Sequence, residues 1–171
     1  MHTREQYLEL PKERLVDYIE LIHKNFWTLQ GHYVLELERR YGEDVAMEFD
    51  DIAFGRAAEV QVYRLRKFFN LGDDIPALMK IFDFSEFCSN IEYEFLDVSD
   101  KRLIWRVTKC PMQIDRLKAG LPEIACKLVA IPTNEKIAKA INPKMKSTCI
   151  MCPPDPHPKD RWCEFEFKIE A

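Results

Sequence analysis

The chain has 171 residues, of which 47% are hydrophobic and 32% charged, with five glycines and a net charge of −4; its pI is 5.6. Such a composition belongs to a compact folded chain rather than a disordered one, and the length suits one domain with a real core. It withholds the basic surface that nucleic acid or an anionic membrane rewards, so neither is expected as a partner.

The first half reads as helical. Pro11 suits a first helical turn, where its missing N–H costs nothing. Leu15, Tyr18, Ile19, Ile22, Phe26, Trp27 and Leu29 then recur at helical spacing. Gly31 either bends this helix or separates it from a second one carrying Tyr33, Val34, Leu37 and Tyr41, which Gly42 ends as a C-cap. A long amphipathic helix follows over about 45–70, and Asn70 to Asp74 stops it. Pro76 starts a shorter helix through about Phe87.

The pattern then changes to a period of two. Ile91 to Val98 alternates apolar and acidic residues, and Leu103 to Thr108 follows a turn at Ser99 to Arg102, which predicts a β-hairpin. Helical spacing returns over about 111–119, 122–128 and 133–141, and two last strands are expected over about 144–151 and 162–169. Helices, hairpin, helices, hairpin is the order of an α+β domain with an antiparallel sheet and helices packed on one side. The whole of 1–171 reads as one domain, helical over 1–88 and α+β over 89–171.

No stretch reaches the ~18 uninterrupted apolar residues of a spanning helix, and the first residues lack the basic-then-apolar pattern of a secretory signal. A cytoplasmic protein without a membrane span is therefore expected. There, six cysteines read as thiols, metal ligands or catalytic groups rather than disulfides.

Four of the six fall in the last quarter. Cys149 lies 23 residues after Cys126, Cys149-Ile150-Met151-Cys152 is a CxxC, and Cys163 follows across the stiff loop Pro153-Pro154-Asp155-Pro156-His157-Pro158. A CxxC lets two thiolates in a turn reach one ion, so Cys126, Cys149, Cys152 and Cys163 predict a tetrahedral site. The competing reading is that each is a small buried hydrophobe. All-thiolate ligation suits zinc first, and iron or an iron–sulfur cluster as alternatives. His157 and Asp155 could replace one cysteine or simply be solvated.

These spacings, with Cys163-Glu164-Phe165-Glu166-Phe167 opening an alternating strand, resemble the 4-vinyl reductase or hydrocarbon-binding domain, also found in phenol-sensing bacterial regulators. The resemblance implies the superfamily that includes transport-complex subunits of the TRAPP type, with an apolar cavity for a small or lipid-like ligand. It also implies zinc on three cysteines and a glutamate: Cys126, Cys152 and Cys163 match the cysteines, and Cys149 stands where the glutamate is expected. A second resemblance, through Lys109-Cys110-Pro111, Gly120, Cys126, Asn142-Pro143 and Trp162-Cys163-Glu164-Phe165, is to proteins grouped with L-2-amino-thiazoline-4-carboxylic acid hydrolase.

Cys110 ends a predicted strand just before a helix opened by Pro111. Backbone N–H groups and the helix dipole there can lower a thiol pKa and make a nucleophile, or the cysteine can merely pack at a strand end. Cys88 reads as buried or incidental. Two functions are therefore expected as competitors. One is a small-molecule-binding domain with a structural four-cysteine zinc site and a pocket, walled by residues such as Trp27, Tyr33 and Trp105, for an apolar or thio-organic molecule. The other is a hydrolase of a small cyclic amide or amidine with Cys110 as nucleophile. An iron–sulfur or redox protein is a third reading. The long first helices offer a surface for a homodimer.

Overall fold

A computed structural model describes residues 4–170. In chain order they form α1 (Arg4–Leu8), α2 (Lys12–Tyr41), α3 (Glu43–Phe69), α4 (Ile75–Phe84), β1 (Glu92–Leu96), β2 (Arg102–Lys109), α5 (Pro111–Lys118), α6 (Lys127–Ile141), β3 (Met145–Met151) and β4 (Cys163–Ile169). The strands make one antiparallel sheet in the order β1-β2-β4-β3. This is the expected α+β architecture with the helices leading. None of the helices is long and apolar enough to cross a membrane.

Alternation decides which face of the sheet is covered. Leu103, Trp105 and Val107 of β2 and Phe165 and Phe167 of β4 point to one side and are buried. There they meet Ile81 and Phe82 of α4, Ala58 and Val62 of α3, and Ile137 and Ile141 of α6. Phe82 stacks on Trp105 at 4.9 Å between ring centroids. The opposite face is charged and cross-linked: Arg106 bonds Glu164 at 2.7 Å and Glu94 at 3.0 Å, and Arg102 bonds Glu166 at 2.6 Å.

Three local expectations are corrected. Gly31 neither bends nor divides the first helix, because α2 runs unbroken through it. The segment 122–128 is not a helix of its own. Residues 121–125 form an irregular strap and α6 starts at Lys127, continuing across Pro132. The proline removes one backbone hydrogen bond near the start of that helix, and the burial of Val129, Thr133, Asn134, Ile137 and Ala138 along its inner face outweighs the loss. Finally, α4 ends at Phe84 rather than Phe87, where Ser85 takes up an extended backbone as C-cap.

Candidate functional site

The strap before α6 is fixed from three sides. Gln113 of α5, almost wholly buried, donates from Nε2 to the Ile124 carbonyl and accepts the Ile124 N–H at Oε1, both at 3.0 Å. Arg116, one turn on, donates to the Pro122 carbonyl at 3.0 Å and forms a two-pronged pair with Glu38 of α2 at 2.7 and 3.0 Å. Glu43, at the start of α3, accepts the Ala125 N–H at 2.8 Å. The strap therefore delivers Cys126 to the N-cap position of α6 in a set place.

Two more cysteines meet it there. Cys163 opens β4 opposite Val107 of β2, and Cys152 lies just past the end of β3. The register of β3 on β4 slips at a bulge between Cys149 and Met151, so that Met151 faces Glu164. That extra residue brings Cys152 beside Cys163. The Sγ atoms of Cys126 and Cys152 are 3.6 Å apart and those of Cys152 and Cys163 3.4 Å, and all three lie within 4.8 Å of one another. Tetrahedral zinc with bonds of about 2.3 Å holds its sulfurs about 3.8 Å apart, so the spacing and donor chemistry fit one such ion.

Cys149, expected as the fourth ligand, is not in this group. The CxxC is not a turn: Cys149 is within β3, paired with Phe165, two residues along β4 from Cys163. At about 3.3 Å of rise per residue that is a separation of about 7 Å along the strand. Burial pushes the Cys149 thiol up from its ordinary pKa. The two alternative ligands are engaged elsewhere. Asp155 accepts Lys127 Nζ at 2.6 and 2.8 Å and the Cys152 N–H at 3.3 Å, which ties the proline loop to α6. His157 lies 3.3 Å from Glu123, and its ring packs on Trp162 at 4.8 Å. Burial opposes its protonation, but the Pro158 carbonyl and Glu123 outweigh that and raise its pKa.

The three thiols share their protons unequally. Cys126 is held well below the ordinary thiol range by the neighbouring Cys152 and Cys163 thiols, with Gln113 Nε2 adding a contact at 3.4 Å. Cys152 and Cys163 are pushed up, in each case chiefly by the contact with Cys126. Metal binding requires these thiols to give up their protons, and the lowered pKa of Cys126 favours that at one of the three.

The cluster borders a cavity of about 510 Å³ between α2, α3, α6 and the covered face of the sheet. Trp27, Val34, Met47, Phe54, Trp105, Val129, Ile137 and Phe165 make its apolar wall, and Cys126, Cys163 and Cys110 reach it as well. Trp27 and Trp105 thus stand where the pocket was expected. Tyr33 does not: Trp27, Gly31 and Val34 share the inner face of α2, and Tyr33, a step of 100° round the helix from Val34, is 65% exposed. Polar groups interrupt the wall, among them Asp50, whose carboxylate accepts Gln30 Nε2 at 3.1 Å. Burial pushes Asp50 up to about 6.

Cys110 is the N-cap of α5 with Pro111 at the first helical position, as its sequence context predicts. Its thiol is nevertheless pushed up to about 11, because burial outweighs the N–H groups of Gln113 and Met112. Of the two readings open for Cys110, the direction of this shift favours the packed cysteine. The signal that sequence reading missed is Gln113, whose neighbours give no hint that its amide spans the strap and touches a cysteine thirteen residues on. Cys88 is buried, as read, and also lines the cavity.

No curated protein matches the chain. A trafficking protein particle complex subunit 3 from Naegleria fowleri, solved covalently bound to palmitic acid, has a similar fold: its TM-score is 0.51 over 89% of this chain and 95% of that one, at 9% sequence identity. Likeness at that identity is one of fold. Residues 8–169 match the family of unknown function DUF6125, and the chain belongs to that family.

Proposed function

We propose that this protein is a small-molecule-binding domain in which one zinc ion on Cys126, Cys152 and Cys163 fastens α6, the end of β3 and β4 around a cavity for an apolar ligand. The observation that carries the reading is the position of the three thiols. They lie within 4.8 Å of one another, and two of them form part of the cavity wall. Thiols this close suit a single ion better than an iron–sulfur cluster, whose four cysteines are spread over two or four irons. A cavity of 510 Å³ is within the range of small-ligand sites. The resemblance to hydrocarbon-binding domains and the palmitic acid carried by the structural neighbour favour the same class of occupant. The hydrolase reading loses its support at Cys110, whose burial keeps the thiol protonated at neutral pH.

Metal analysis of anaerobically purified protein tests the metal, with about one equivalent of zinc expected and less in Cys126→Ser, Cys152→Ser or Cys163→Ser. Colour with stoichiometric iron, or full zinc in all three variants, would overturn it. Quenching of tryptophan fluorescence by palmitate and by an alkylphenol tests the cavity. Saturable quenching that disappears in Val129→Trp is expected, and no saturation by either probe would refute the apolar-ligand reading.

A further inference from the structure

The proposed zinc site has three protein donors, and which direction its fourth position faces decides whether the ion merely holds the fold together. The geometry points to an ion whose fourth position opens into the cavity and is filled by a neutral nitrogen donor of the ligand, such as the ring nitrogen of an azole attached to an apolar body. This rests on the zinc and cavity reading above and deepens it.

Cys152 is fully buried and takes no part in the cavity wall, whereas Cys126 and Cys163 both do. The ion therefore has Cys152 behind it and the cavity in front. Among the described residues no fourth cysteine, histidine or carboxylate lies within the group, and the Asp50 carboxylate on the cavity wall is engaged by Gln30. Cys149 sits one rung down β4, opposite Phe165, and Cys110, though on the cavity side, is outside the group. Asp155 and His157 are held by Lys127 and Glu123. Gln113 already uses both ends of its amide on Ile124.

Three thiolates and a divalent ion carry a net charge of about −1, and a fourth anion in an apolar cavity would meet that charge without screening. A neutral donor avoids this, and thiolate-rich zinc accepts imidazole-type nitrogen. A second observation says where the rest of the ligand lies. Thr133 and Asn134 are more than nine-tenths buried and line the cavity. Thr133 Oγ1 is buried and makes no hydrogen bond within the described residues, and Asn134 lies beside it. They lie two turns beyond Cys126 on the same face of α6, about 10 Å along the axis. Buried polar groups call for partners. A ligand with its nitrogen on the metal and a hydrogen-bonding group at the far end meets both features.

Cobalt(II) exchanged into the full chain reads the coordination directly. The probe pair is 4-phenylimidazole and biphenyl, which share an apolar body but differ in the donor. The expected result is a three-thiolate charge-transfer intensity before addition, unchanged in Cys149→Ser. The ligand-field bands should shift saturably with 4-phenylimidazole and stay fixed with biphenyl. Ala130→Phe, which fills the cavity one turn from Cys126, should abolish the shift while leaving the starting spectrum intact. A four-thiolate spectrum that loses about a quarter of its intensity in Cys149→Ser or Cys110→Ser would overturn the open position and leave the structural-zinc reading standing. Bands unmoved by 4-phenylimidazole in the wild type would overturn it as well. Failure to bind cobalt at all would refute both.

Discussion

Gln113 is the residue on which the placement of Cys126 most depends, and Gln113→Leu tests it while filling nearly the same space. The substitution strips two backbone bonds at Ile124, each 3.0 Å, and the contact to Cys126 Sγ. Leaving an N–H and a C=O unpaired in a partly buried strap costs roughly 1–1.5 kcal/mol each, so about 2–3 kcal/mol in total. For a chain of this length 1 kcal/mol moves the melting temperature by about 2–4 °C, which predicts a fall of about 4–12 °C by circular dichroism. The strap also sets the position of one thiol, so metal affinity should fall with stability. Measured by competition with a chromophoric chelator, the variant should release zinc to the chelator more readily than wild type. An unchanged melting temperature and unchanged zinc affinity would show that the strap holds its shape through Arg116 and Glu43 alone, and would refute the role assigned to Gln113.

Asp50→Asn tests the buried carboxyl. Its pKa is raised to about 6 in the folded state and is lower in the unfolded chain, so ionisation penalises the fold as pH rises through that window. The variant should therefore be more stable than wild type by up to ~3 kcal/mol at pH 7 and close to it near pH 4; a larger gain at pH 4 than at pH 7 would contradict the assignment. Phe165→Ala removes a ring that is 1% exposed between sheet and helices, and urea unfolding should show a loss of about 3–5 kcal/mol. Cys110, 6% exposed and with its pKa at about 11, should resist iodoacetamide at pH 7 in the folded protein, as read by peptide mass spectrometry; rapid labelling at Cys110 would reopen the nucleophile reading.

Much of the fold was legible because its signals are local. The alternation of Phe165 and Phe167 with Glu164 and Glu166 names both a strand and its buried face, and the helical stripes of α2 and α3 need no partner to be seen. Pro132 shows the limit. Read alone it divides a helix, and only the packing of the inner face of α6 decides that it does not. Tyr33 shows another, since one residue along α2 separates the cavity wall from solvent.

The sequence by itself determined which residues could hold a metal, since cysteines at these spacings restrict the donors to a few thiols, and it placed Cys163 at the start of an apolar strand. Only the tertiary structure decided which thiols converge. Strand pairing and one bulge in β3 put Cys152 beside Cys163 and leave Cys149 a rung away, while a glutamine from another helix fixes Cys126. It also weighs the two influences on Cys110, because the helix N-terminus visible in the sequence lowers a thiol pKa less than burial raises it. Spacing along a chain counts residues; coordination depends on register between strands and on what surrounds each sulfur, and both are set by contacts between segments far apart in sequence.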